Sequence, residues 1–341
     1  VRSILEGAIA LSGQKKRIID NPAKQPLAVA MAALEAEISN FDQKQRYIAL
    51  VEFGGPARIR GLAGSGKTVI LAMKAAHLHL NNPDDTILIT FYTKSLRATL
   101  KTLITKFYRH FSESDPDWTK IHIRHGWGGS SVPGVYSDAC KRHGRSPLKL
   151  DEAKRIAKGG DAFAAICSDL LEKIEVRPFY NHVLIDEGQD FPSSFYELCY
   201  ALCVGERDRK SIVWAYDELQ NILNIQIRTP EALFGRDEDG EPRVSLDRSS
   251  ANLPPGATND AVLNKCYRNQ RQVLVVAHAL GFGVYGEIVQ LLESAEHWRD
   301  VGYEVLHGDF STGSQIEIKR PEENSPLNIE NVNGFSLISG A

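Results

Sequence analysis

The stretch RIRGLAGSGKTVILA, residues 58–72, decides how the rest of the chain is read. Gly61 is followed, after four residues, by Gly66, Lys67 and Thr68, the spacing G-x-x-x-x-G-K-T. Glycines let the main chain wrap tightly, so that successive N–H groups through Ala63, Gly64 and Ser65 point at phosphate oxygens. The helix-forming run that follows aims its positive N-terminal end at the same anion. In this pattern Lys67 reaches the β- and γ-phosphates of a nucleotide and Thr68 offers its hydroxyl to magnesium.

A second stretch, HVLIDEGQDF (182–191), completes that chemistry. Residues 182–185 have the apolar character of a short buried strand. Asp186, Glu187 and Asp190 then crowd three carboxylates where the strand emerges, and like charges this close repel unless a cation sits among them. Beside a phosphate loop the expected cation is magnesium, bridging the phosphates of ATP to Asp186 directly or through water. Glu187 is the residue placed to take a proton from the attacking water.

Strand candidates at 57–61, 86–92, 182–187 and 211–216 alternate with helix candidates at 68–80, 95–111 and 194–205. That alternation predicts an α/β fold with a parallel sheet flanked by helices. The last three strand candidates are nearly continuous apolar runs, as central parallel strands should be. In 57–61 two arginines interrupt the pattern. Residues 130–180 are expected to form a mostly helical insertion, and 234–260, with its Pro-Pro-Gly, a long polar loop. Residues 1–40, which include the alanine-rich PLAVAMAALEAEI (26–38), are expected to be a helical extension.

The chain has 341 residues, 43% apolar and 24% charged, ordinary values for a globular protein of one or two domains. No apolar run approaches the roughly 18–20 residues needed to span a bilayer, and no signal peptide opens the chain, so no membrane partner is expected. Net charge is −3, so any nucleic-acid binding has to come from a local groove. The five cysteines, at 140, 167, 199, 203 and 266, are odd in number and lack zinc spacing. Buried thiols and a cytoplasmic, reducing home are expected. The chain starts at Val1 and stops at Ala341 without an obvious terminal element, which reads as a fragment.

Taken in order, the motifs resemble those of UvrD/Rep-type superfamily 1 DNA helicases over roughly residues 41–275. DEGQD is similar to that family's DExQD segment, and AGSGKT to its P-loop. The resemblance implies a RecA-like P-loop ATPase domain at 41–255 and the beginning of a second, incomplete RecA-like domain at 256–341. FDQKQRYIAL (41–50) resembles the LNxxQ start, which puts Gln45 on the adenine edge; an amide suits this because it both donates and accepts. TFYTKSL (90–96) is similar to TFTNKAA, implying DNA contacts from Phe91, Lys94 and Arg97, although Phe91 also fits a core aromatic at a strand end. On the following helix Arg97, Lys101, Lys106 and Arg109 lie opposite an apolar face, as on a DNA-binding surface or a solvated one. IRHGWGG (123–129) falls where another DNA contact is expected, offering His125 and Trp127 for polar and stacking contacts, or for a tucked loop.

AYDELQNI (215–222) resembles GDxxQ, with Gln220 as γ-phosphate sensor and Tyr216 in place of the family's glycine. LNKCYRNQRQV (263–273) is similar to NYRS, implying Tyr267 stacked on adenine and Arg268 as an internal arginine finger. In DEGQD, Gln189 and Asp190 would link nucleotide state to interdomain contacts. Further second-lobe motifs have no counterpart after residue 275.

The resemblance implies an ATP-driven helicase or translocase on single-stranded DNA, or on duplex with a single-stranded region, with Glu187, Lys67, Gln220 and Arg268 as catalytic residues. A different class of function also fits: a nucleotide-gated DNA-sensing subunit that controls a partner, such as a nuclease, without processive unwinding. A metabolic P-loop kinase fits less well, since such enzymes lack the Gln-Asp extension and the Tyr-Arg segment.

Overall fold

A computed structural model describes residues 43–326, apart from 130–131, 218–227, 252, 254–255, 282–291, 293 and 312–313. The expected extension at 1–40 and Gln220 lie outside the described residues. The chain divides into two compact units. One holds Tyr47–Arg60 and Lys67–Val262; the other holds Gly61–Gly66 and the chain from Leu263 on, together with residues 43–46.

The larger unit is α/β, as the alternation of elements predicts. Its sheet has strands β1 (Ala57–Gly61), β2 (Ile87–Phe91), β3 (Ile121–His125), β4 (His182–Ile185), β5 (Ser211–Tyr216) and β6 (Asp260–Leu263), in the order β3-β2-β4-β5-β1-β6. The pairs β3–β2, β2–β4, β4–β5 and β5–β1 are parallel. Every residue of β2 is buried, as are all but the first of β4 and of β5. Coverage on both faces is why these three were continuous apolar runs.

The arginines of β1 have a specific use. Residues two apart on a strand share one face, so Arg58 and Arg60 both reach the Asp260 carboxylate on β6, at 2.6–3.2 Å. Burial works against the Asp260 charge, and the two guanidinium groups overcome it, holding its pKa below the ordinary carboxylate value.

Helices α2 (Lys67–Asn81) and α3 (Leu96–Phe111) connect the first strands; α1 is Gln43–Leu50. The helical insertion is present between β3 and β4 as α4 (Val135–Arg142), α5 (Leu150–Ala157) and α6 (Ala162–Lys173). Asp161 caps α6 by accepting from the N–H groups of Phe163 and Ala164. These helices share a core with α7 (Ser193–Leu202), built from Tyr136, Phe163, Ile166, Phe195, Tyr196 and Leu198. All five cysteines are free and buried.

One expectation needs correction, and two strands were not among the candidates. Ile121–His125 and Asp260–Leu263 are strands, although IHIRH alternates with polar residues and DAVL is only four residues long. The supposed loop from 234 onward contains a short helix, α9 (Leu246–Ser250), and begins at the end of α8 (Pro230–Phe234). Both are started by a hydroxyl cap: Thr229 accepts from the Ala232 N–H and Ser245 from the Arg248 N–H.

The smaller unit contains α10 (Arg271–Gly281), α11 (Ala295–Asp300) and an antiparallel pair, β7 (Glu304–His307) with β8 (Glu317–Lys319). Buried Arg320 organises it, donating to the carbonyls of Val301 (2.6 Å), Asn324 (2.7 Å) and Asn264 (3.2 Å) and to the Ser325 hydroxyl (2.7 Å). Among the described residues no helix is long and apolar enough to cross a membrane.

Candidate functional site

In a parallel α/β sheet, ligands bind beyond the carboxyl ends of the strands. Lys67 and Thr68 open the helix after β1, Asp186 follows β4, and Asp217 follows β5, the strand lying between those two. The Lys67 ammonium is 3.8 Å from an Asp217 carboxylate oxygen, with the side chains only 11% and 2% exposed.

The Thr68 hydroxyl lies near enough to the Asp186 carboxylate to favour its charged form. Asp186 is 1% exposed. Its N–H extends the sheet by donating to the Thr90 carbonyl (2.8 Å), and its Oδ1 accepts from the Glu187 N–H (3.0 Å). Its other oxygen, Oδ2, is buried and has no hydrogen-bond partner. Burial pushes the Asp186 pKa up to about 6, against the pull of Thr68 and Lys67. A buried carboxylate oxygen left unpaired is costly. Beside a threonine hydroxyl it is also what a hard cation takes as a ligand. Magnesium is held by one or two carboxylates together with substrate phosphates and water, so Thr68 and Asp186 fit it.

Glu187 sits in a left-handed conformation (φ 52°, ψ 44°). A non-glycine residue held there stores about 1–3 kcal/mol, and such strain clusters at functional sites. The Glu187 side chain is half-buried, and its Oε2 also has no hydrogen-bond partner. The turn that follows, Gly188–Asp190, is a single 3-10 turn. A Cβ at 188 would lie 2.2 Å from the Tyr196 hydroxyl, so a larger residue has to displace that buried side chain, which donates to the Gly188 carbonyl at 2.8 Å. Gln189 accepts from the Asp217 N–H at 3.1 Å, tying the turn to the end of β5, while Asp190 is exposed.

Within the smaller unit the glycine segment gathers three other expected site residues. Gln45 is buried and donates to the Ser65 carbonyl at 2.7 Å. Tyr267 donates its N–H to the Gly64 carbonyl at 3.0 Å. Gly64 has φ 81°, and a Cβ there would meet the Arg268 Cβ at 2.4 Å. Gly64 is therefore required twice, for its backbone angle and for the close approach of Arg268. The Cys266 thiol donates to the Ala63 carbonyl at 3.2 Å.

Phe91 is not available to a DNA base. It is 1% exposed, and every residue of its strand is covered. The aromatic that faces solvent is its neighbour Tyr92, 47% exposed. Lys94 and Arg97 are exposed as expected. Arg109, by contrast, is spent on an ion pair with Asp115. His125 is half-buried, with Nδ1 accepting from the N–H of Trp127 (3.2 Å) and burial lowering its pKa. Trp127 stacks on Phe163 with ring centres 5.4 Å apart, so one of its faces belongs to the core. Of the two settings open for Trp127, the tucked loop is the one observed.

These positions predict unequal outcomes for adjacent residues. Phe91→Ala should cost about 3–5 kcal/mol of stability, as large-to-small changes in a packed core do, whereas Tyr92→Ala, which loses only ring contacts with Phe191 and His125, should cost about 0.5–1.5 kcal/mol. Urea denaturation checks both, and a neutral Phe91→Ala would contradict the burial.

Tyr92, Tyr196 and Arg228 escaped the sequence reading. Tyr92 could have been found by asking which of two adjacent aromatics a short strand leaves outside; the other two act through contacts with no local signal. No protein-family model matches the chain and no curated protein matches it significantly, so the chemistry of the site has to be read from its own residues.

Proposed function

We propose that the chain is a magnesium-dependent ATPase of RecA-like type that moves on single-stranded DNA, akin to UvrD/Rep-type superfamily 1 helicases. One observation carries the reading: Asp186, buried with an unsatisfied carboxylate oxygen, stands at the same strand ends as Lys67, which a second buried aspartate faces at 3.8 Å.

The chemistry follows from the side chains. Lys67 binds the β- and γ-phosphate oxygens as a compact point charge. Thr68 and Asp186 hold magnesium, which when bound neutralises charge on those oxygens. Glu187 accepts a proton from water as the water oxygen bonds to the γ-phosphorus. The bond from that phosphorus to the bridging oxygen breaks, its electron pair leaves with ADP, and inorganic phosphate is the other product. The resemblance adds Gln45 and Tyr267 for the adenine, Arg268 for the γ-phosphate and Gln220 as its sensor.

The DNA half of the proposal is supported by exposed Tyr92, Lys94 and Arg97 just past the carboxyl end of β2. An exposed aromatic followed by basic residues suits a single strand, offering a face for a base and charge for the phosphates. ATP hydrolysis by the chain should rise on adding single-stranded DNA, and the stimulation should weaken with salt. Equal rates with and without DNA across several salt concentrations would contradict the DNA half.

A further inference from the structure

The turn that presents Glu187 is held from behind by a residue far away in sequence. Arg228 Nη1 donates to the Phe191 carbonyl at 2.8 Å, and Nη2 donates to the carbonyls of Gly188 at 3.1 Å and Gln189 at 3.4 Å. Tyr196 stands beside it: its ring centre is 5.7 Å from the guanidinium, and its hydroxyl donates to the same Gly188 carbonyl. At the far end of the turn, buried Phe191 stacks on Phe195 with ring centres 4.2 Å apart. Among the described residues no carboxylate pairs with Arg228. Among the described residues, the hydrogen bonds of this half-buried guanidinium all go to peptide carbonyls.

We infer that Arg228 is a positioning residue, clamping the Gly188–Phe191 turn so that Glu187 is held in its left-handed conformation with its carboxylate aimed for proton transfer. The inference rests on the reading of Glu187 as general base. Its physical basis is the match between partners. A tight turn directs several carbonyls outward, and the rigid, planar fork of arginine spreads its donors over three of them in a fixed geometry that a lysine ammonium, with its donors on one atom, does not reproduce. Charge-assisted bonds of this kind are about twice as strong as neutral ones. Strained backbone persists only where its surroundings over-determine it. Remove the clamp, and Glu187 is the residue with most to gain by relaxing. Arg228 touches no reacting atom in this account; it acts through the turn.

The test uses the full chain carrying Arg228→Lys or Arg228→Gln, with two readouts. The first is amide hydrogen exchange over residues 186–192 without nucleotide. The second is single-turnover ATP hydrolysis together with nucleotide affinity. The clamp predicts faster exchange at Gly188–Phe191 in both variants. It also predicts hydrolysis slowed by roughly 10²-fold, the effect of displacing a catalytic group by about 1 Å, with nucleotide affinity little changed. Lysine should not rescue, because it keeps the charge but loses the fork.

Unchanged exchange overturns the inference, as does a parallel fall in affinity and hydrolysis, which marks general damage to the fold. Should Arg228→Gln fail to fold, Arg228→Lys decides alone. Should the wild type hydrolyse no ATP, the general-base reading fails by itself. The exchange readout still judges the clamp in that case: a loosened turn supports it and an unchanged one removes it.

Discussion

Replacing Glu187 with glutamine is expected to slow single-turnover ATP hydrolysis by roughly 10²–10⁴-fold, the usual worth of a positioned general base, while nucleotide affinity stays close to that of the wild type. Glutamine has the same shape but cannot accept the proton of the attacking water. It also removes a negative charge whose repulsion disfavours the ionised form of Asp186, so the hold on magnesium and nucleotide should not weaken. The neighbouring turn is anchored through the main chain at Gly188 and through Gln189, not through the Glu187 side chain. The variant should therefore bind ATP and keep it. Chemical-quench kinetics with the intact chain measures this; normal turnover would remove Glu187 from the mechanism.

Replacing Lys67 with alanine should do the reverse and weaken binding first. The ammonium is nearly buried and faces the buried carboxylate of Asp217 at 3.8 Å. The proposed contact of the Lys67 ammonium with nucleotide phosphate is a desolvated charge pair across a binding interface, and truncating one partner of such a pair costs about 2–5 kcal/mol of binding. In the variant, Asp217 would present negative charge to incoming phosphates without the ammonium that offsets it. At about 1.4 kcal/mol for each tenfold change, nucleotide affinity should fall from roughly 30-fold to several thousand-fold. Equilibrium titration with nucleotide reads this directly. The two variants together separate holding the nucleotide from cutting it.

How far these sites could be read from sequence depended on where each residue's partners lie. The turn at Gly61–Gly66 and the helix that starts at Lys67 were legible because their requirements are local: glycines for the turn, then a run of helix formers. The central strands were legible because burial on both faces leaves an unbroken apolar run, as in ILITF (87–91), all of it covered. The edge strands were not. IHIRH and DAVL are half-exposed, and their polar positions are decided by neighbours, such as the pairing of Asp260 with Arg58 and Arg60 across the sheet.

Phe91 illustrates a finer failure. A motif pattern names an aromatic position, but the pleat of the strand and the cover over it decide whether Phe91 or Tyr92 meets solvent. Arg228 was beyond reach, since its carbonyl partners lie 37 to 40 positions away and nothing local marks them.

The central claim is that Lys67, Thr68 and Asp186 hold a magnesium-bound triphosphate. A nonhydrolysable ATP analogue carrying a fluorophore, titrated into the intact chain with and without magnesium, examines it most directly. Binding should be saturable, strengthened by magnesium, retained in Glu187→Gln and strongly weakened in Lys67→Ala. Binding indifferent to both magnesium and Lys67, or no saturable binding at all, would contradict it.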